Sequence, residues 1–522
     1  MDPFGRMEKK WKGRERLSSF TSSSPENHGL SSGALSRFFD QIEQNRLQVN
    51  SFILLQDGQI TTQMWRAPYR PDCPQLLYSL SKSFTSIAVG IALDNGYFHL
   101  DDPVIRFFPE RCPEKISDNL ARMTIHHLLS MNTGHRSNIY DAVVSEKDWV
   151  KAFLSLEVEC EPGTYYSYNT PASYLLSAII WKATGQHLVD FLTPRLFEPL
   201  EIERPEWETC PMGIAAGGMG LSLTTQDVAK FGQLLLNRGT YQGKTIVSEA
   251  YVSLATREQS DNRQEAKGID TAQGYGYQIH LCRRGCFRGD GAFGQLCFVA
   301  PEQRIVIAAT SAFKNTNQET QTLLDLIYEH IVDEWQGNRN DPQSAEDSVV
   351  LRQRLADMTY SVPAAHPIPD NIPDLDGRWY QIKDNPEKLQ RVGFARVGAR
   401  LQVRLCHVER EERILLFDLQ SPVHIHDEFI KDLSLHRQEA VTFAAWPVCH
   451  TLKLTLLYIE TPYCGAYTMH FNERGLELHF HINVSLTLRG YETSGVQIET
   501  ARRNSPTSWA GVRQKKEENI TP

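Results

Sequence analysis

The chain has 522 residues, 41% of them apolar, 22% charged and 10% aromatic. This is the make-up of a globular protein, too aromatic for extended disorder and too long for one ordinary domain. A formal charge of −9 excludes the basic footprint of nucleic-acid or anionic-membrane binding.

In chain order, residues 1–30 join a basic stretch to the Ser-rich SSFTSSSPENHGLSSG and are expected to form a disordered leader. The start has no apolar run of the kind a secretory signal carries. A helix is expected at about 33–45, and the apolar runs around Asp57-Gly58 in SFILLQDGQITTQMW predict a β-hairpin. From Ser79 to Gly239 the apolar spacing is helical, as in ASYLLSAIIWKATG and TTQDVAKFGQLLLNRG. The apolar run Phe84 to Leu93 is too short to cross a bilayer, which takes about 20 residues, so no membrane partner is expected. Strands return in YGYQIHL and QLCFVAPEQRIVIAATSA, followed by the helix TQTLLDLIYEHIVDEW. Strands from both ends of residues 31–338 enclosing a helical middle predict an α/β (α+β) layered domain with one sheet flanked by helices. Residues 339–371, rich in Asn, Asp, Gln and Pro around one helix-like stretch, read as a linker. Alternating segments such as ARLQVRLC and TLKLTLLYIE make 372–500 an antiparallel β domain, and 501–522 a flexible tail. Ten scattered cysteines without paired CxxC groups fit reduced thiols in a cytoplasm.

Chemistry concentrates first at Tyr78-Ser79-Leu80-Ser81-Lys82, which opens an apolar helical run. A lysine one turn after a serine shares its face, and a desolvated lysine can take the hydroxyl proton of a nucleophile. Taken alone, the four residues from Ser79 to Lys82 read more readily as an ordinary helix start with a capping serine and a solvated lysine.

Further segments follow in a matching order: HLLSMNTG at 127–134, PGTYYSYNT with Pro162, Gly163, Thr164 and Tyr168, SYLLSAIIWKATG, and GGMGLSLTTQDVAKFGQLLLNRG from Gly217 to Gly239. Over about residues 33–335 the chain thereby resembles the class C β-lactamase and penicillin-binding esterase superfamily. The resemblance implies a serine hydrolase with Ser79 as nucleophile and Lys82 and Tyr168 transferring protons. A tyrosine beside a cationic lysine would be expected to ionise more readily. In place of the family's asparagine in the second motif stands Thr170, with Asn169 one position early.

The family's third element is a strand-borne cation that holds a substrate carboxylate. The corresponding segment here is FRGDGAFGQ, with Gly289-Asp290-Gly291 where the cation is expected and Arg288 one position away. Oxyanion stabilisation needs only backbone N–H groups, expected from Ser79 and Ala292. The expected substrate contacts are therefore Asn169, Thr170, Arg288, Asp290, Gly291 and Ala292. The expected substrate is a small ester, amide or peptide, ahead of a carboxylated β-lactam or a D-amino-acid peptide. The rival reading, motivated by Thr170 and Gly289-Asp290, is a ligand-binding protein on the same fold that has lost full activity. His424, His426, His479, His481 and Asp427 lack zinc-type spacing; no metal or cofactor is expected, and nothing in the chain fixes an oligomeric state.

Overall fold

The computed structural model describes residues 20–335, 344–360, 368–473 and 475–498. The predicted hairpin forms as strands β1 (Val49–Gln56) and β2 (Gln59–Trp65). Its turn places Asp57 at φ 50° and Gly58 at φ 75°, the left-handed pair a two-residue hairpin turn requires. The sheet is completed by β3 (His280–Leu281), β4 (Phe287–Gly291), β5 (Gln295–Ala300) and β6 (Ile305–Ser311). Its order is β2-β1-β6-β5-β4-β3, and every pair is antiparallel. N- and C-terminal strands thus meet at β1 and β6.

Both central strands are buried along their whole length, because helices cover both faces of the sheet. On one face lie α1 (Ser32–Gln44), packing Phe38 and Phe39 on Phe52, and α2 (Thr316–Ile327). The other face receives the helical middle, including α3 (Ser81–Asp94), α4 (Thr170–Thr184) and α5 (Thr225–Leu236). Phe84 of α3 stacks on Phe231 of α5 at 3.8 Å.

Two boundary expectations are corrected. Residues 20–30 are built into the first domain: Phe20 and Leu30 are buried, and Ser22 bridges Ile60 on the edge strand β2. Edge-strand backbone groups order this Ser-rich segment, which its composition could not reveal. Residues 1–19 of the expected leader, and the tail 501–522, lie outside the described residues. Within the expected linker, the helix α6 (Ser344–Ala356) packs Leu351 and Leu355 into the same core as α1.

The C-terminal domain is all-β. Its ten strands run from Trp379–Ile382 to Tyr491–Ile498, which pair with each other in the middle of one sheet. The sheet's two end strands, Arg413–Phe417 and Val423–Ile430, approach closely, so it curls into a near-barrel. The seam is bridged by Arg413, which donates to both carboxylate oxygens of Asp427 at 3.0 and 2.6 Å. Alternating burial along Arg400–His407 reflects one inward and one solvated face.

The β domain docks on the first domain through charged contacts. Arg70 donates to both oxygens of Glu439 at 2.7 and 2.6 Å. His436 sits between Glu206 at 2.8 Å and Glu208 at 3.0 Å. Hydrogen bonds to Glu206 and then Glu208 hold its imidazolium up to a pKa of about 9. The folded value exceeds the unfolded one of about 6.5. This stabilisation is therefore complete below about pH 6.5 and is lost as pH rises through about 9. The melting temperature is expected to fall over that interval, and the fall to shrink in His436→Gln. Identical pH slopes for the two proteins would contradict the assignment.

Candidate active site

Ser79 lies in the 3-10 turn Tyr78–Leu80 that feeds α3, and Lys82 lies in the first turn of that helix. All residues of α3 from Ser81 to Ala92 are buried, because the helix runs through the middle of the first domain. Lys82 consequently has nowhere to reach solvent and is 1% exposed. Its Nζ lies 2.9 Å from Ser79 Oγ and 2.7 Å from the carbonyl oxygen of Gly218. The Gly217–Gly220 loop is laid along the helix start by two more bonds, Thr85 Oγ1 to Gly217 O at 2.6 Å and the Leu221 amide to Ser81 Oγ at 3.2 Å. Gly217 sits at φ 66°, and a Cβ there would stand 2.7 Å from the Ser173 carbonyl. Gly217 and Gly218 are thus needed where the loop passes α4, and Gly220 where it passes Glu208.

Tyr168, just before α4, closes the third side. Its phenol faces Ser79, and Lys82 Nζ lies 5.0 Å from its ring centre. Burial lowers the Lys82 pKa to about 7, against the opposing pull of Asp432 and Asp290. Burial raises that of the Tyr168 phenol, and the facing Ser79 only partly offsets this. The expectation that lysine would make the tyrosine more acidic is therefore reversed, because desolvation outweighs the charge. Neutral lysine is the available base, and the phenol is a protonated donor.

Strand β4 forms the opposite wall. Arg288 and Asp290, two residues apart, share a face, and Arg288 Nε lies 2.7 Å from Asp290 Oδ2. Arg288 is 1% exposed and also donates to the Asp270 carbonyl at 2.9 Å. It lines the cavity with its guanidinium already paired inside the protein. Burial alone would raise the Asp290 pKa, but the Arg288 guanidinium holds it below the usual carboxylate range. The group presented at the cation's place is therefore an anion. His280, 3.6 Å from Asp290, is kept neutral by burial, with a pKa of about 4, and stacks on Tyr168.

Glycines let β4 lie directly on the nucleophile turn. A Cβ at Gly289 would stand 2.5 Å from Leu80 and Ser83 atoms, and one at Gly291 would stand 2.1 Å from the Leu77 carbonyl oxygen. Ser79, Tyr166, Tyr168, Asp290, Gly291 and Ala292 line a cavity of about 310 Å³, whose outer wall includes Glu265, Lys267 and Leu324.

Asn169 and Thr170 do not line this cavity. The Asn169 side chain is fully buried and caps α4, accepting from the Ala172 amide at 3.3 Å, while Thr170 begins the helix against Gly218. The Asn169 side chain is thus spent on the cap. Among the described residues no cluster of His, Cys, Asp and Glu could hold a metal ion. His424 instead pairs with Glu439 at 3.0 Å and His479 with Glu492 at 3.2 Å.

Residues 36–330 match the family model described as Beta-lactamase. The chain belongs to the Beta-lactamase family. It is similar to the 6-aminohexanoate-dimer hydrolase of Paenarthrobacter ureafaciens, with 23% identity over 284 residues covering 51% of this chain and 72% of that protein. Esterase EstB of Burkholderia gladioli is 27% identical over 150 residues, which cover 26% of this chain and 38% of that protein. A solved Bacillus anthracis structure named for 6-aminohexanoate-dimer hydrolase superposes with a TM-score of 0.50 at 20% identity, covering 61% of this chain and 88% of that one. The family match ends before the first strand of the β domain at Trp379.

The family motifs do not announce His280, which sits in YGYQIHL with nothing to mark it, nor Asp432, which acts on Lys82 from the second domain. Two outcomes follow from the geometry. The rate at which a fluorophosphonate labels Ser79 is expected to rise with pH through about 7, as Lys82 loses its proton, and to level off above. In Lys82→Met it should fall by at least about a hundredfold; a limb centred below pH 5 or full reactivity without Lys82 would contradict this. Gly291→Ala is expected to destabilise the fold by about 1–3 kcal/mol through overpacking, read as a lower urea midpoint.

Proposed function

We propose that the chain is a serine hydrolase acting through a covalent acyl-enzyme on small ester or amide substrates. Ser79 Oγ attacks the carbonyl carbon while neutral Lys82 takes its proton. The backbone N–H groups of Ser79 and Ala292 hold the oxyanion, and the protonated Tyr168 phenol delivers a proton to the leaving alcohol or amine and is recharged with the proton that Lys82 took from Ser79. Water then attacks the acyl-enzyme by the same route in reverse.

The observation that carries this reading is a fully buried Lys82 within 2.9 Å of Ser79 whose other hydrogen bond goes to a carbonyl, not a carboxylate. A structural lysine would be paired with an acid and kept charged. The named activities of the relatives, an amide-dimer hydrolase and an esterase, are consistent with it. Asp290 at the cavity wall repels a carboxylate, so carboxylated β-lactams rank below neutral or amine-bearing acyl compounds. The intact Ser79, Lys82 and Tyr168 set weighs against a protein that only binds. We assign residues 31–338 to the hydrolase domain, extended by residues 20–30 and α6, and 372–500 to the β domain. A reducing cytoplasm suits the ten unpaired thiols, and among the described residues no helix is long and apolar enough to cross a membrane.

Intact-mass spectrometry after incubation with a fluorophosphonate tests the reading, alongside a short-chain p-nitrophenyl ester assay. One adduct per chain and ester turnover, both absent in Ser79→Ala, are expected. Unlabelled, folded native protein would overturn the proposal.

A further inference from the structure

The β domain meets the first domain on both sides of the Ser79–Lys82 pair. On one side it grips the stretch leading to the nucleophile: the Leu76 amide donates to Glu460 O at 2.9 Å, and Tyr78 OH donates to Tyr463 OH at 2.8 Å. Tyr463 OH in turn donates to the carbonyl of Lys431 at 2.7 Å. On the other side the turn 432–434 sits on Glu208, whose carboxylate accepts the amides of Asp432, Leu433 and Ser434 at 3.1, 3.2 and 3.0 Å. Glu208 also brackets the loop that holds Lys82, since its amide donates to Gly220 O and its carbonyl accepts from the Ala216 amide.

The backbone at these points is strained. Tyr78 has φ 49° and Phe293 φ 64°, left-handed values that bulky side chains avoid and that persist only where surroundings impose them. Each directly adjoins a residue proposed to donate an oxyanion N–H, Ser79 or Ala292. The two rings meet edge to face at 5.2 Å. They are buried together with Leu76, Phe429, Tyr458 and Tyr463 in a core that is otherwise the interior of the β domain. Beyond Leu76 and Phe293, the buried residues of this core come from the β domain. The hydroxyl chain Tyr78–Tyr463–Lys431 fixes the ring at its far end, as a pin fixes a lever.

We propose that Tyr463 is a positioning residue for acyl transfer: through its hydrogen bond to Tyr78 it holds the left-handed turn that aims the Ser79 hydroxyl and amide into the cavity. The β domain is then part of the catalytic apparatus rather than an appendage. This rests on the serine-hydrolase reading above. Misplacing a nucleophile by a fraction of an ångström costs rate and leaves a small substrate's binding almost unchanged.

The test uses the full chain, with Tyr463→Phe, Tyr78→Phe and the double variant. Fluorophosphonate labelling and kcat for a p-nitrophenyl ester are expected to fall about tenfold in each single variant, with KM unchanged and a native circular-dichroism spectrum. The double variant should lose no more than either single one, because both delete the same bond. Native rates in the single variants, multiplied losses in the double, or a raised KM with unchanged kcat would overturn the proposal. If Tyr463→Phe does not fold, Tyr78→Phe removes the bond from the other side and decides by the same rates. An unreactive native protein would instead defeat the hydrolase reading itself.

Discussion

Burial of the Lys82 ammonium between α3 and the Gly217–Gly220 loop sets the terms for the surrounding structure. A charged lysine in that place would need a carboxylate partner, and the fold gives it a serine hydroxyl and a carbonyl instead. Half of its protons are therefore gone near neutral pH, and the Ser79 proton has somewhere to go. The rest of the site follows from keeping water away: α3 is sunk into the core, α4 carries Tyr168 against it, and the glycines of β4 let the sheet press on the nucleophile turn.

The same desolvation separates the two proton carriers. Lysine is charged when protonated and tyrosine is charged when deprotonated, so one low-dielectric environment moves their pKa values in opposite directions. The deprotonated form of Lys82 and the protonated form of Tyr168 are both favoured by the same burial. On β4 a buried Arg288 does for Asp290 what no group does for Lys82: it pairs with it and keeps it ionised. The cavity wall thereby carries an ionised Asp290 set against the Arg288 guanidinium.

Much of this was legible from residue order. Ser79 and Lys82 one turn apart, Tyr168 after PGT and the glycines at 217–220 are local signals, and the hairpin at Asp57-Gly58 and the alternating strands of the β domain follow from period and turn chemistry. Asn169 and Thr170 were misleading because a polar residue before a helix serves a cap as readily as a ligand, and here the cap takes Asn169. The pairing of Arg288 with Asp290 follows from the strand period, which puts second neighbours on one face. The ordered segment 20–30 and the influence of Asp432 and Tyr463 depend on partners hundreds of residues away or on an edge strand, and no local pattern encodes them.

The central claim is that a carbonyl group becomes covalently attached to Ser79 during turnover. Mixing the native protein with a p-nitrophenyl ester, quenching in acid within the first turnover and mapping the peptides by mass spectrometry tests it directly. The account predicts an acyl-sized increment on the peptide containing Ser79. Release of nitrophenol with no increment, or an increment on a different residue, would contradict it.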